Sequence, residues 1–164
     1  MKQTYRVFAG LVALGVLVQA GAIAFGWFDA IVGLENGLVI DQNFEGNAGL
    51  SLHGIVGFIV MPALALILLV VSFLAAKQVP GAVKWGAIVF GLTLLQVGLA
   101  ILAFAVASVI GALHGLNALL IFVAAIRAAL LTRESRVAGA GSGAGLPRQR
   151  SESTGAAEGS SLPV

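Results

Sequence analysis

The sequence predicts an all-α integral membrane protein, a four-transmembrane-helix bundle built from a duplicated helical hairpin. Three observations predict it. Apolar residues make up 59% of the 164-residue chain and charged residues 10%, with a mean hydropathy of +1.04; that leaves too little polar surface to coat a soluble globule of this size. The charged residues divide the chain into stretches of the length a bilayer requires. The two Gln and the two His inside those stretches recur in the same order in the two halves of the chain. Soluble enzymes, disulfide-stapled secreted domains and nucleic-acid binders are all disfavoured on this composition. The chain has no Cys, which removes disulfides, thiolate-bound zinc, iron–sulfur clusters and cysteine nucleophiles. The pI near 9.5 reflects a net charge of only +2, and the basic residues form no single patch.

The spans follow from the charges. Residues 7–28 carry no Asp, Glu, Lys or Arg, and 22 residues of helix extend about 33 Å, enough for a hydrocarbon core of about 30 Å. A second charge-free stretch covers residues 46–76, with Pro62 in its middle; an intramembrane proline is tolerated where neighbouring helices re-satisfy the freed carbonyl. The third stretch, residues 85–126, is 42 residues long. As one helix it would extend about 63 Å, two membrane thicknesses. It must fold back on itself, and Ser108-Val109-Ile110-Gly111 is the expected turn. The expected spans are 6–28, 50–76, 83–107 and 111–131, together a membrane domain over residues 1–131.

The N-terminus has some features of a signal peptide: Lys2 and Arg6 precede an apolar run, and Ala22-Ile23-Ala24 resembles a cleavage site. The apolar run continues to Trp27 and Phe28, longer than a signal core, and predicts a retained first helix. Lys2, Arg6, Lys77, Lys84, Arg127, Arg133 and Arg136 flank one set of span ends. The loop at 29–49 carries Asp29, Glu35, Asp41 and Glu45 and no base. The positive-inside rule then places both termini and the 77–84 loop in the cytoplasm. The acidic loop faces outward, where a surface of this kind is more often simply solvated than partner-facing. Residues 132–164 are rich in Gly, Ser, Ala and Pro without apolar periodicity, which predicts a disordered cytoplasmic tail. Its Arg133, Arg136, Arg148 and Arg150 are interleaved with Glu134, Glu152 and Glu158, a pattern of a solvated linker rather than a lipid-binding patch.

The internal repeat is the most informative feature. Leu17-Val18-Gln19-Ala20-Gly21 matches Leu94-Leu95-Gln96-Val97-Gly98, and six residues after each Gly stands an aromatic, Trp27 and Phe104. Leu52-His53-Gly54 matches Leu113-His114-Gly115, and these are the only two His in the chain. A copied helical hairpin gives parallel repeats about an axis along the membrane normal. It would set His53 and His114 at equal depth near the outer boundary, facing each other if the second and fourth spans pack across the core.

Ionisable residues within spans are costly and usually functional. In the first reading His53 and His114 are the axial iron ligands of a b-type haem, in a site built between facing helices. Gly54, Gly57, Gly111, Gly115 and Ala118 would leave room for the macrocycle, and Phe58 and Phe122 would wall it. Gln19 and Gln96 would hydrogen-bond the ring nitrogens turned away from the iron, with Asn117 beside them. No Lys or Arg lies at the outer side to pair with haem propionates; Asn47, Ser51, Asn117 and loop amides are what the sequence offers there. In the second reading the same residues are helix–helix glue, with His and Gln bonding across helices and small residues, including a GxxxG at Gly111 and Gly115, closing the backbones together. The protein is then a cofactor-free structural or accessory subunit of a larger membrane complex. A third reading, a proton relay, lacks the intramembrane carboxylate such paths usually include. No nucleophile–base pair, phosphate loop or carboxylate pair falls within the spans, so enzymatic activity is not expected.

A four-span unit with His on its second and fourth helices and Gln-plus-Gly on its third resembles one half of haem A synthase, over residues 6–131. The resemblance implies that His53 and His114 are haem ligands near the outer face of a bacterial inner membrane. The chain departs from that family in lacking an acid near the first His, since Leu50 stands three residues before His53, and in lacking the outer-loop Cys pair. It therefore implies a haem-holding half, not haem A synthesis. The chain is also similar to a group of small four-span bacterial membrane proteins of uncharacterised function.

Overall fold

A computed structural model describes the backbone of residues 1–141 and the side chains of residues 1–133. It consists of five α-helices and one π-turn: α1 (Lys2–Glu35), α2 (Ala48–Ile55), the π-turn (Val56–Val60), α3 (Met61–Ala75), α4 (Ala82–Ala105) and α5 (Ile110–Gly141). Helix α2, the π-turn and α3 form one continuous second span, Ala48–Ala75, so that four helices are long and apolar enough to cross a membrane. Among the described residues there is no β-strand.

Pro62 accounts for the local break. It has no N–H to donate, and its ring crowds the carbonyl four residues earlier, which favours a locally widened turn. The Met61 N–H reaches back five residues to the Val56 carbonyl, the π-type bond.

Helix α1 packs against α2, α3 and α5, while α4 packs against α3 and α5. The spans are thus ordered one, two, three, four around the bundle, with the second and fourth facing each other diagonally. The packed core lies toward the end that carries the N-terminus and the turn between α3 and α4. Tyr5, Ala9, Val12, Met61, Ala65, Leu68, Val89, Ile121, Ala125 and Ala128 meet there. Tyr5 is fully buried, and its hydroxyl donates to the Ala82 carbonyl (3.3 Å). Ser72, Thr93 and Thr132 are buried and satisfy their hydroxyls on carbonyls of their own helices, so small polar residues sit between the helices with their hydroxyls partnered.

Toward the opposite end, which carries the loops at 36–47 and 106–109, the packing changes. Helices α1 and α2 stay in backbone contact: a Cβ on Gly49 would overlap the Gly26 N, and one on Gly26 would lie 2.7 Å from the Leu50 N. Asn47 closes this pair, accepting from the Leu50 N–H (3.1 Å) as the N-cap of α2 and donating to the Gly26 carbonyl (2.7 Å). The other side is open. Counted at about 100° per residue, Ala82, Gly86, Val89 and Thr93 form the inward stripe of α4, and Ala100 and Phe104 continue it. Yet Phe104 is 93% exposed, and no residue from Leu94 to Leu116 is buried.

The boundaries differ from the sequence expectation at three places. Helix α1 runs past Asp29 to Glu35, and α5 runs to Gly141, ten residues beyond the expected end of the membrane domain. A charge ends an apolar stretch without ending a helix, and Ala, Arg and Glu are good helix formers. The turn of the second hairpin falls at residues 106–109, slightly earlier than expected, with Gly111 already helical. The rest of the expected tail, 142–164, lies outside the described residues.

Candidate functional site

The two histidines come together from the diagonally opposed spans. Their ring centroids are 6.2 Å apart, with ring planes at 64°. Each imidazole is held in the same way. The His53 Nδ1–H donates to the Gln19 backbone carbonyl (3.1 Å), and the His114 Nδ1–H donates to the Gln96 backbone carbonyl (3.1 Å). A carbonyl can only accept, so the proton of each neutral ring sits on Nδ1 and the lone pair on Nε2. Neither Nε2 has a hydrogen-bond partner among the described residues.

The glutamines act differently from the sequence expectation. Their backbone carbonyls, through the second lone pair left by the helical bond, orient the imidazoles. The Gln19 side chain instead donates from Nε2 to the His53 carbonyl (3.1 Å), clasping α2 to α1. The Gln96 Oε1 accepts from Asn117 Nδ2 (2.7 Å), which also donates to the Leu92 carbonyl (2.9 Å), tying α5 to α4. Asn117 is therefore a helix-pairing residue one turn from His114, only 3% exposed. Gln19 Oε1 and Asn117 Oδ1 are buried without a protein partner.

The small residues divide into two groups. A Cβ on Gly54, Gly98 or Gly111 would meet nothing within 4 Å, although each of these glycines is only partly exposed. Gly57 is different: its Cβ would lie 2.6 Å from Gln19 Nε2, so its absent side chain makes room for the glutamine. Gly115 is exposed, and Ala118 packs against the main core. Phe122 also packs against that core and Phe58 is half exposed, so the expected aromatic walls are not gathered at the histidines. Phe104 continues the inward stripe of α4 toward this end. Of the expected propionate partners, Asn47 has both ends of its amide engaged, Asn117 donates to protein acceptors, and Ser51 is exposed.

The His pair has the dimensions of a shared metal. Two imidazoles on opposite sides of one first-row ion, each nitrogen about 2.0–2.1 Å from it and about 1.1 Å from its own ring centre, have centroids about 6.2–6.4 Å apart. Among the described residues no group of three or more His, Cys, Asp or Glu gathers, so an ion held by this pair would take its remaining ligands from a macrocycle or solvent. Metal-binding histidines characteristically donate the other ring N–H to a carbonyl or carboxylate, as both do here. No family model, curated protein or solved structure matches the chain.

Proposed function

We propose that this is a small multi-pass protein of the inner membrane, with both termini cytoplasmic, that holds one haem b between His53 and His114 near the outer face. It would serve electron transfer or haem handling there. The observation that carries the reading is the 6.2 Å centroid separation, the spacing of two imidazoles on one iron, with each Nδ1 committed to a backbone carbonyl. When bound, the haem would supply four equatorial nitrogens and a one-electron couple. The chain's part would be to leave both Nε2 lone pairs free for the iron and, through the Nδ1 contacts, to keep the rings from rotating. The lack of buried residues from Leu94 to Leu116, Phe104 among them, supports room for a flat ring on the side of α4. The matching carbonyl contacts on the two histidines support a copied hairpin, and the distribution of Lys and Arg supports the orientation.

The cofactor-free accessory subunit is the competing reading, favoured by one observation: the same separation and angle also describe an edge-to-face ring pair. Titrating haemin into the purified protein in mild detergent separates the two. The haem reading expects one equivalent bound, with a Soret band that shifts on reduction and is lost in His53→Ala and in His114→Ala. A protein that stays colourless, together with stoichiometric membrane partners in a native pull-down, would support the accessory subunit.

A further inference from the structure

We propose that the π-turn at Val56–Val60 takes up one extra residue in the second span, and that this is what keeps His53 facing His114; the inference rests on reading the two histidines as one site. The buried positions of the two His-bearing spans carry it. In the second span Met61, Ala65, Leu68, Val71 and Ser72 are buried, at 8, 12, 15, 18 and 19 residues after His53. In the fourth span Ile121, Ala125, Ala128, Leu131 and Thr132 are buried, at 7, 11, 14, 17 and 18 residues after His114. These five positions correspond with a displacement of one residue; the fourth span also buries Asn117 and Ala124, and the counterpart of Ala124, Leu64, is only partly buried. The extra residue lies between His53 and Met61, the interval that contains the π-turn.

The angular consequence is large. At about 100° per residue, Met61, Ala65, Leu68, Ser72 and Ala75 lie within about 40° of a common line down the inward face, and buried Val71 lies about 80° to one side of it. An uninterrupted α-helix would put His53 about 80° from that line and Gly49 about 120° from it. With one residue absorbed in a π-turn, both return to within about 20°. Gly49 is then where it is found, against Gly26, and His53 is beside His114. Helix α5 has no such interruption, and needs none, because its seven-residue interval already brings His114 onto the inward side. Pro62 fixes where the extra residue is accommodated, since it cannot donate the bond that would restore the α-helical ladder.

The chain has no Cys, so a His53→Cys/His114→Cys pair in the full chain can be joined by a short thiol-specific bifunctional reagent and read by intact mass, without any haem. Two single-residue deletions are compared in that background and, with both histidines kept, by the haemin spectrum. Ile59 and Leu119 are equally exposed, at 65% and 62%. Deleting Ile59 removes the surplus residue, turns the second span into a regular helix in the register of the fourth, and is expected to retain the crosslink and the two-histidine spectrum. Deleting Leu119 turns His114 away by about 100° and is expected to abolish both. Loss of the crosslink in the Ile59 deletion, failure of that deletion to fold, or retention of the crosslink in the Leu119 deletion would overturn the proposal. If the crosslinks behave as expected and the parent protein takes up no haem, the register stands and the haem reading fails.

Discussion

A close backbone approach between α1 and α2 lies one turn before His53, and it makes a quantitative prediction. A Cβ on Gly49 would sit 2.6 Å from the Gly26 Cα and 2.7 Å from the Ala22 carbonyl, where ordinary contacts are 3.4–4 Å. These are backbone atoms and cannot rotate away. In Gly49→Ala, α1 and α2 must therefore separate by about 1 Å, an overpacking cost of about 1–3 kcal/mol. His53 rides on the same face, and its 3.1 Å bond to the Gln19 carbonyl would lengthen to about 4 Å, forfeiting a further ~1 kcal/mol. The alanine returns about 0.5–1 kcal/mol of backbone entropy. The net expectation is a loss of about 1–3 kcal/mol, read by reversible unfolding in mixed micelles. Gly54→Ala, five residues on and meeting nothing within 4 Å, is the control and should be neutral or more stable by up to about 1 kcal/mol. If the two variants unfold alike, the close approach of α1 and α2 does not position this helix.

Other expectations follow from the same contacts. Asn47→Ala removes both the N-cap of α2 and the bond to Gly26 and should cost about 1–3 kcal/mol in the same unfolding assay. Gln96→Ala leaves the carbonyl that holds His114 in place but strips Asn117 of an acceptor; stability should fall by about 1–2 kcal/mol while the haemin spectrum keeps two-histidine character. Phe104→Ala removes a side chain that packs on almost nothing, so stability without haem should change by less than about 0.5 kcal/mol, whereas haemin affinity should drop if this ring lies against the macrocycle.

Much of this architecture is legible in the sequence, for identifiable reasons. Four helices long and apolar enough to cross a membrane follow from the charge-free lengths, because a bilayer admits few alternatives to a helix of about 20 residues. The sequence expects His53 and His114 to meet if spans two and four face each other, and their rings lie 6.2 Å apart. The manner in which they are held does not. The Gln19 and Gln96 side chains are the polar groups the sequence offers for the imidazole contacts; the backbone carbonyls of those same residues make them, and every residue has one. Phe58 and Phe122, expected as aromatic walls, are half exposed and packed on the main core respectively, since a residue's depth along a span does not fix its direction around the helix. That direction was obscured in the second span by the π-turn. Pro62 marks the place, but the surplus residue becomes visible only when buried positions in the two spans are compared. Gly49 was likewise hidden, one glycine among 22, until its neighbour across the helix pair was known.

The measurement that bears most directly on the central claim is low-temperature electron paramagnetic resonance of the haemin-loaded ferric protein, compared with His53→Ala and His114→Ala. Two imidazoles on one iron, with planes turned 64° from each other, should give a strongly anisotropic low-spin signal that both single variants convert to high spin. A high-spin signal in the parent protein, or a low-spin signal that survives both substitutions, would mean that these two histidines do not share an iron.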